Sequence, residues 1–132
     1  MADIDDLKVA FEQAMGALNT RNLDTFSTLV HDEAVYFGPG SPFPLEGKAA
    51  RLQHFQRVST TNESVTVTPI KPQFRVIGTT GIVWLHFALM RKPKDGSMTN
   101  VADIVCATLI FAKSDGNWLM VAEHQSRLPP GN

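Results

Sequence analysis

Two Asp-Gly pairs, Asp95-Gly96 and Asp115-Gly116, punctuate the second half of the chain, each between runs of β-branched and aromatic residues. Both central residues of a tight hairpin loop take positive φ, which this dipeptide tolerates, so each pair marks a reversal of an antiparallel sheet. The flanking runs are residues 65–68, 74–77, 82–90, 101–112 and 118–126, and Thr79-Thr80-Gly81 supplies a further reversal. The last three long strands therefore form a meander. Pro69 and Pro72 have no amide hydrogen to give a ladder, which places them at an edge or a bulge.

The first half carries a different period. Ile4, Leu7, Phe11, Ala14 and Leu18 recur at steps of three and four, opposite Lys8, Glu12 and Asn19, and predict a helix over residues 3–19. Asp3 caps its start, and Asp5 and Asp6 suit the positive end of its dipole. Asn22 is placed to cap a short helix carrying Leu23, Phe26, Leu29 and Val30 and ending near His31, after which residues 34–37 have strand composition. Glycines and prolines over residues 38–44 make a loop, and Leu52, Phe55 and Val58 mark a third helix over residues 48–58. Helices followed by a meander give an α+β layer structure, and 132 residues with 43% apolar content suit one domain spanning residues 1–132.

The run from Thr108 through Ser114-Asp115-Gly116-Asn117 to Met120, followed by Glu123-His124-Gln125-Ser126-Arg127, resembles the final hairpin of SnoaL-like proteins. It is similar also to the end of the calcium/calmodulin-dependent kinase association domain, within the nuclear transport factor 2-like superfamily. Ala17-Leu18-Asn19, Leu23-Asp24, His31 through Val35 and Glu46-Gly47-Lys48 fall where that family has them, so the resemblance spans nearly the whole chain. It implies a cone: three N-terminal helices packed on a curved antiparallel sheet around a cavity. The superfamily includes isomerases, hydrolases, dehydratases, ligand binders and assembly modules, so the fold does not select a reaction. The expectation is a pocket for a small apolar or amphipathic molecule, with a non-catalytic homodimeric module as the alternative.

Alternation on the strands sorts the candidate residues. On the last strand Leu119, Val121, Glu123 and Gln125 share one face, and Trp118, Met120, Ala122, His124 and Ser126 the other. By resemblance to the kinase association domain, whose cavity carries arginines on these strands, the positions matching Leu109 and Gln125 point inward; the same parity brings in Asp103, Val105, Ala107 and Phe111. Asp103 and Glu123 are then the candidate general bases or acids, since a carboxylate facing a partly dry cavity resists ionisation; the alternative is that either sits solvated at the open end or pairs with Arg127 or Arg91 as a structural bridge. Leu109, Gln125 and Tyr36 are candidate ligand contacts. Trp84 and His86 join them if Asp95-Gly96 closes a two-residue turn that sets residue 86 opposite 105; one extra turn residue reverses both. The opposite face, with Trp118, Met120, Ala122, Ile110 and Ile104, is expected to form an apolar homodimer strip edged by His124 and Ser126.

Several function classes fall away. Twelve basic against thirteen acidic residues, and a pI near 6.4, leave no electrostatic footprint for nucleic acid or an anionic membrane. No run approaches the roughly 18 apolar residues of a membrane span. The acidic start suggests no signal peptide, and the lone Cys106 forms no internal disulfide, so the expected location is cytoplasmic. His31, His54, His86 and His124 are scattered and no Gly-rich phosphate loop follows a strand, so no metal and no cofactor are expected. In the ketosteroid isomerases of this superfamily a tyrosine, a carboxylate base and a second acid move the proton; laid on this sequence, those positions fall on Ala14, Gly38 and Ala107. None of the three can transfer or donate a proton.

Overall fold

The computed structural model describes residues 3–39, 42–94 and 101–128. In chain order it contains α1 (Asp3–Thr20), α2 (Leu23–Ser27), β1 (Val30–Phe37), β2 (Leu45–Glu46), α3 (Lys48–Thr61), β3 (Asn62–Ile77), β4 (Thr80–Pro93), β5 (Val101–Ser114) and β6 (Asn117–Arg127). One six-stranded sheet has the order β2-β1-β6-β5-β4-β3, so β4, β5 and β6 form the expected meander. The sheet is not wholly antiparallel, however, because β1 lies parallel to β6. That pairing joins the two halves of the chain, and no pattern local to either half announces it.

Local chemistry explains the element ends. The Asn22 side chain accepts a hydrogen bond from Thr25 N at 3.0 Å, satisfying one of the free amides at the start of α2. Asp115 and Gly116 both take positive φ, 50° and 82°, between the paired residues Ser114 and Asn117. The turn between β3 and β4 is centred on Gly78-Thr79 rather than on Thr79-Thr80-Gly81, since Ile77 already pairs with Thr80. Residues 65–68 and 74–77 belong to one long edge strand, whose register shifts between Ile70 and Gln73, where Lys71 has a φ of 49°. Pro72 falls inside that bulge. Asn19 shields part of the same edge, donating to Val67 O at 3.0 Å and accepting from Val67 N at 2.7 Å.

The core lies between the helices and one sheet face. Leu7, Phe11 and Ala14 of α1, Phe26 of α2 and Phe55 of α3 are buried against Val83, Leu85, Phe87, Val105, Leu109 and Phe111. Phe26 and Phe55 stack at 4.8 Å, and Phe11 meets Phe74 edge-on at 5.4 Å.

A bulge on β6 overturns one expectation. Ile110 pairs with Ala122 but Phe111 pairs with Met120, so Val121 is the extra residue and side-chain parity inverts across it. Trp118 and Met120 are consequently buried in the core, not laid on the outer face, while Glu123 beyond the bulge also points inward. The dimer strip drawn through Trp118, Met120 and Ala122 does not exist. The outer face instead exposes Trp84, Ile70 and Ile104.

Candidate functional site

Helix α3 presents Arg51, His54, Phe55, Val58 and Ser59 to the interior of the cone, positions three and four apart that share one helical face. Across from it, the register aligns Tyr36 of β1, Glu123 of β6 and Leu109 of β5 in one row. The next inward row is Gln125, Ala107 and Leu85, and the one beyond it Arg127, Val105 and Phe87. With Met15 and Leu18 of α1 and Asn62, Val65 and Val67 from β3, these elements enclose a cavity of about 260 Å³.

The buried end is organised by an ion pair. Arg51 Nε donates to Glu123 Oε2 at 2.5 Å and Nη2 to Oε1 at 3.3 Å. Both side chains are nearly excluded from water, at 5% and 6% exposure. The guanidinium also lies 4.8 Å from the Phe26 ring centre and 4.7 Å from that of Tyr36. Burial works against the charged Arg51, but the adjacent Glu123 carboxylate outweighs it and holds the guanidinium pKa above its ordinary value. Tyr36 is shifted upward chiefly by burial, against the pull of Arg51, so its hydroxyl stays protonated; that hydroxyl reaches Gln125 Oε1 at 3.5 Å.

His54 completes this end. Its ring centre is 5.1 Å from that of Tyr36, and Arg57 Nη2 lies 2.9 Å from Nδ1. A guanidinium only donates, so Nδ1 is the acceptor and the neutral ring carries its proton on Nε2. Burial, Arg51 and Arg57 together lower its pKa to about 4, so at neutral pH the ring is uncharged.

At the other end of the cone Arg127 stands 3.5 Å from Asp103 Oδ2, without hydrogen-bonding geometry, and Arg91 lines the wall with no ion-pair partner among the described residues. The Arg127 side chain is 47% exposed, so this end meets solvent. At the Arg91 end, Asn62, which pairs with Pro93, donates through Nδ2 to Val58 O at 2.8 Å, while its buried Oδ1 has no partner.

The sequence candidates therefore divide. Tyr36, Leu109, Glu123 and Gln125 come together in the cavity wall. Asp103 has the inward parity but does not line the cavity; it faces Arg127. Trp84 and His86 are on the other side of the sheet, because residue 86 pairs with Cys106 rather than 105, and both line an outer hollow with Cys106, Thr108, His124 and Ser126. The residues that set Asp95-Gly96 in its turn lie outside the described residues. Arg51 and His54 were missed, although their spacing from Phe55 and Val58 puts them on the same helical face. Gly38 is occupied in another sense: a Cβ there would come within 2.7 Å of Tyr36 Cε2 and closer still to the phenol end of the ring. The Tyr36 ring thus fills the space a side chain at position 38 would need.

A helix-lined cone on a bent sheet, closed over an apolar cavity with a few converging polar groups, defines the nuclear transport factor 2-like fold. A candidate dehydratase of that family from Streptomyces avermitilis superposes with a TM-score of 0.85 at 19% identity, covering 96% of each chain. A candidate scytalone dehydratase from Novosphingobium aromaticivorans gives 0.86 at 9% identity over 96% of this chain and 85% of that one. A candidate calcium/calmodulin-dependent kinase association domain from Xanthomonas campestris gives 0.80 at 18% identity, over 94% and 86%. At these identities the likeness is one of fold. The family model for the SnoaL-like domain matches residues 7–130, and the chain belongs to that family. No curated protein matches the sequence. Among the described residues no helix is long and apolar enough to cross a membrane, and no three His, Cys, Asp or Glu side chains are grouped to hold a metal ion.

Proposed function

We propose that this protein binds one small amphipathic molecule inside the cone. The observation that carries this reading is the cavity of about 260 Å³, apolar along Leu18, Val67, Leu85, Phe87 and Leu109 and polar at both ends. Apolar surface removed from water on binding contributes roughly 25 cal/mol per Å² to affinity before ordering costs. At the buried end the protonated Tyr36 hydroxyl and the neutral His54 ring supply orientation. Glu123 and Asp103 serve as partners for arginines rather than as free bases: Glu123 neutralises Arg51, and Asp103 faces Arg127. His54 offers the wall a donor, its Nε2–H, because Nδ1 already accepts from Arg57.

A titration of methyl-labelled protein with 2-naphthamide, followed by NMR, tests this. Saturable one-to-one shifts confined to the methyls of Leu18, Val67, Leu85 and Leu109 are expected. Shifts centred on Ile70 and Ile104 would place the binding outside the cone and defeat the proposal.

A second reading, two-fold assembly through the outer sheet face, is favoured by the exposure of Trp84, Ile70 and Ile104 at 37%, 37% and 41% on the face that no helix covers. Sedimentation at micromolar concentration showing a dimer that Ile104→Lys dissociates supports it; a monomeric wild type refutes it.

A further inference from the structure

The charge on the cavity wall is uneven. At the buried end Arg51 and Glu123 cancel and His54 is neutral at pH 7. At the solvent end Arg127 faces Asp103, which lies beside the wall rather than in it, and Arg91 lines the wall without an ion-pair partner among the described residues. One positive charge is left over there, and nothing among the described residues pairs with Arg91. An unpaired guanidinium beside an apolar cavity is a site for an anion, because its planar fork matches a carboxylate.

Strand geometry fixes the orientation of such a ligand. Glu123 and Arg127 lie four residues apart on β6, roughly 13 Å at about 3.3 Å per residue. An anionic head at the Arg91 and Arg127 end therefore leaves the cavity wall of Phe87, Leu85, Ala107 and Leu109 for an apolar body. The reverse orientation would desolvate the anion beside Glu123, whose guanidinium partner is already used.

We propose that the cone takes an amphipathic carboxylate, tail inward, with its carboxylate held by Arg91. The proposal rests on the cavity-binding function above and names the ligand class. Two probes of equal size, 2-naphthoate and 2-naphthamide, separate the two claims by calorimetry on the intact protein. At low salt 2-naphthoate should bind about tenfold more tightly than the amide, and the preference should shrink as salt is raised. Arg91→Gln should abolish the preference and leave the urea midpoint unchanged, since Arg91 has no partner to lose. Arg91→Lys, which keeps the charge without the fork, should fall between. Amide and acid binding equally, or a preference surviving Arg91→Gln, would overturn the carboxylate assignment while cavity binding stands. Binding of neither probe to folded protein would overturn cavity binding and the assignment with it.

Discussion

Replacing Glu123 with Gln removes the charge partner of a guanidinium that is 95% shielded from water. The amide can still accept one hydrogen bond from Arg51, but it cannot offset the cost of holding a cation in a low-dielectric interior. Breaking a buried pair from one side costs about 3–5 kcal/mol, a large fraction of the roughly 5–15 kcal/mol that stabilises a domain of this kind. Arg51→Met should cost a similar amount by stranding the carboxylate, although the thioether keeps contact with the Phe26 and Tyr36 rings that flank the guanidinium. The double replacement Arg51→Met with Glu123→Leu removes both charges and should recover to within about 2 kcal/mol of the parent. The coupling energy from the cycle should therefore be about 3 kcal/mol or more. Urea denaturation followed by the fluorescence of buried Trp118, with linear extrapolation, measures each corner. Additive single replacements, with coupling below about 0.5 kcal/mol, would refute the claim that the pair organises the buried end.

Other outcomes follow from the same geometry. His54 is depressed from 6.5 to about 4, so the unfolded chain binds the extra proton and stability present above pH 6.5 is lost as pH falls toward 4. Its partial exposure reduces the effect to about 1–2 kcal/mol; His54→Phe should flatten the urea midpoint across that window, and an unchanged slope would contradict the burial argument. Gly38→Ala should cost about 1–3 kcal/mol by overpacking against the Tyr36 ring and should cost almost nothing once Tyr36→Ala has removed that ring; a cost that persists would point to backbone strain instead. Met120→Lys should unfold the protein, because Met120 is buried; a folded monomer in sedimentation would restore the outer-strip placement of Met120. Isomerisation of a Δ5-3-ketosteroid should not exceed the buffer rate, because Ala14, Gly38 and Ala107 carry no transferable proton; turnover near about one per second would contradict this.

Elements whose signals are local were legible in the sequence. The α1 stripe, the Asn22 cap, the Asp115-Gly116 hairpin and the edge role of β3 each follow from residues within one turn or one strand. What escaped depends on single-residue offsets. The bulge at Val121 reverses Trp118 and Met120 relative to Glu123 without any glycine or proline to announce it. The β4 register, displaced by one from a two-residue turn, sends Trp84 and His86 outward. Glu123 was recognisable as inward-facing through the resemblance, but its partner was not. Arg51 is distant in sequence, and a buried arginine looks like a solvated helix residue until the facing strand is placed. The parallel seam between β1 and β6 is likewise a long-range feature.

The central claim, that the cone itself is the binding site, is tested most directly by calorimetric titration of 2-naphthoate into Leu109→Trp beside the parent. Leu109 is 3% exposed and forms part of the cavity wall, so the indole fills the space a ligand would take. The account predicts one-to-one binding to the parent, loss of that binding in the variant, and a stability change of no more than about 1–3 kcal/mol. Undiminished binding to a folded Leu109→Trp protein would contradict it and move the site out of the cone.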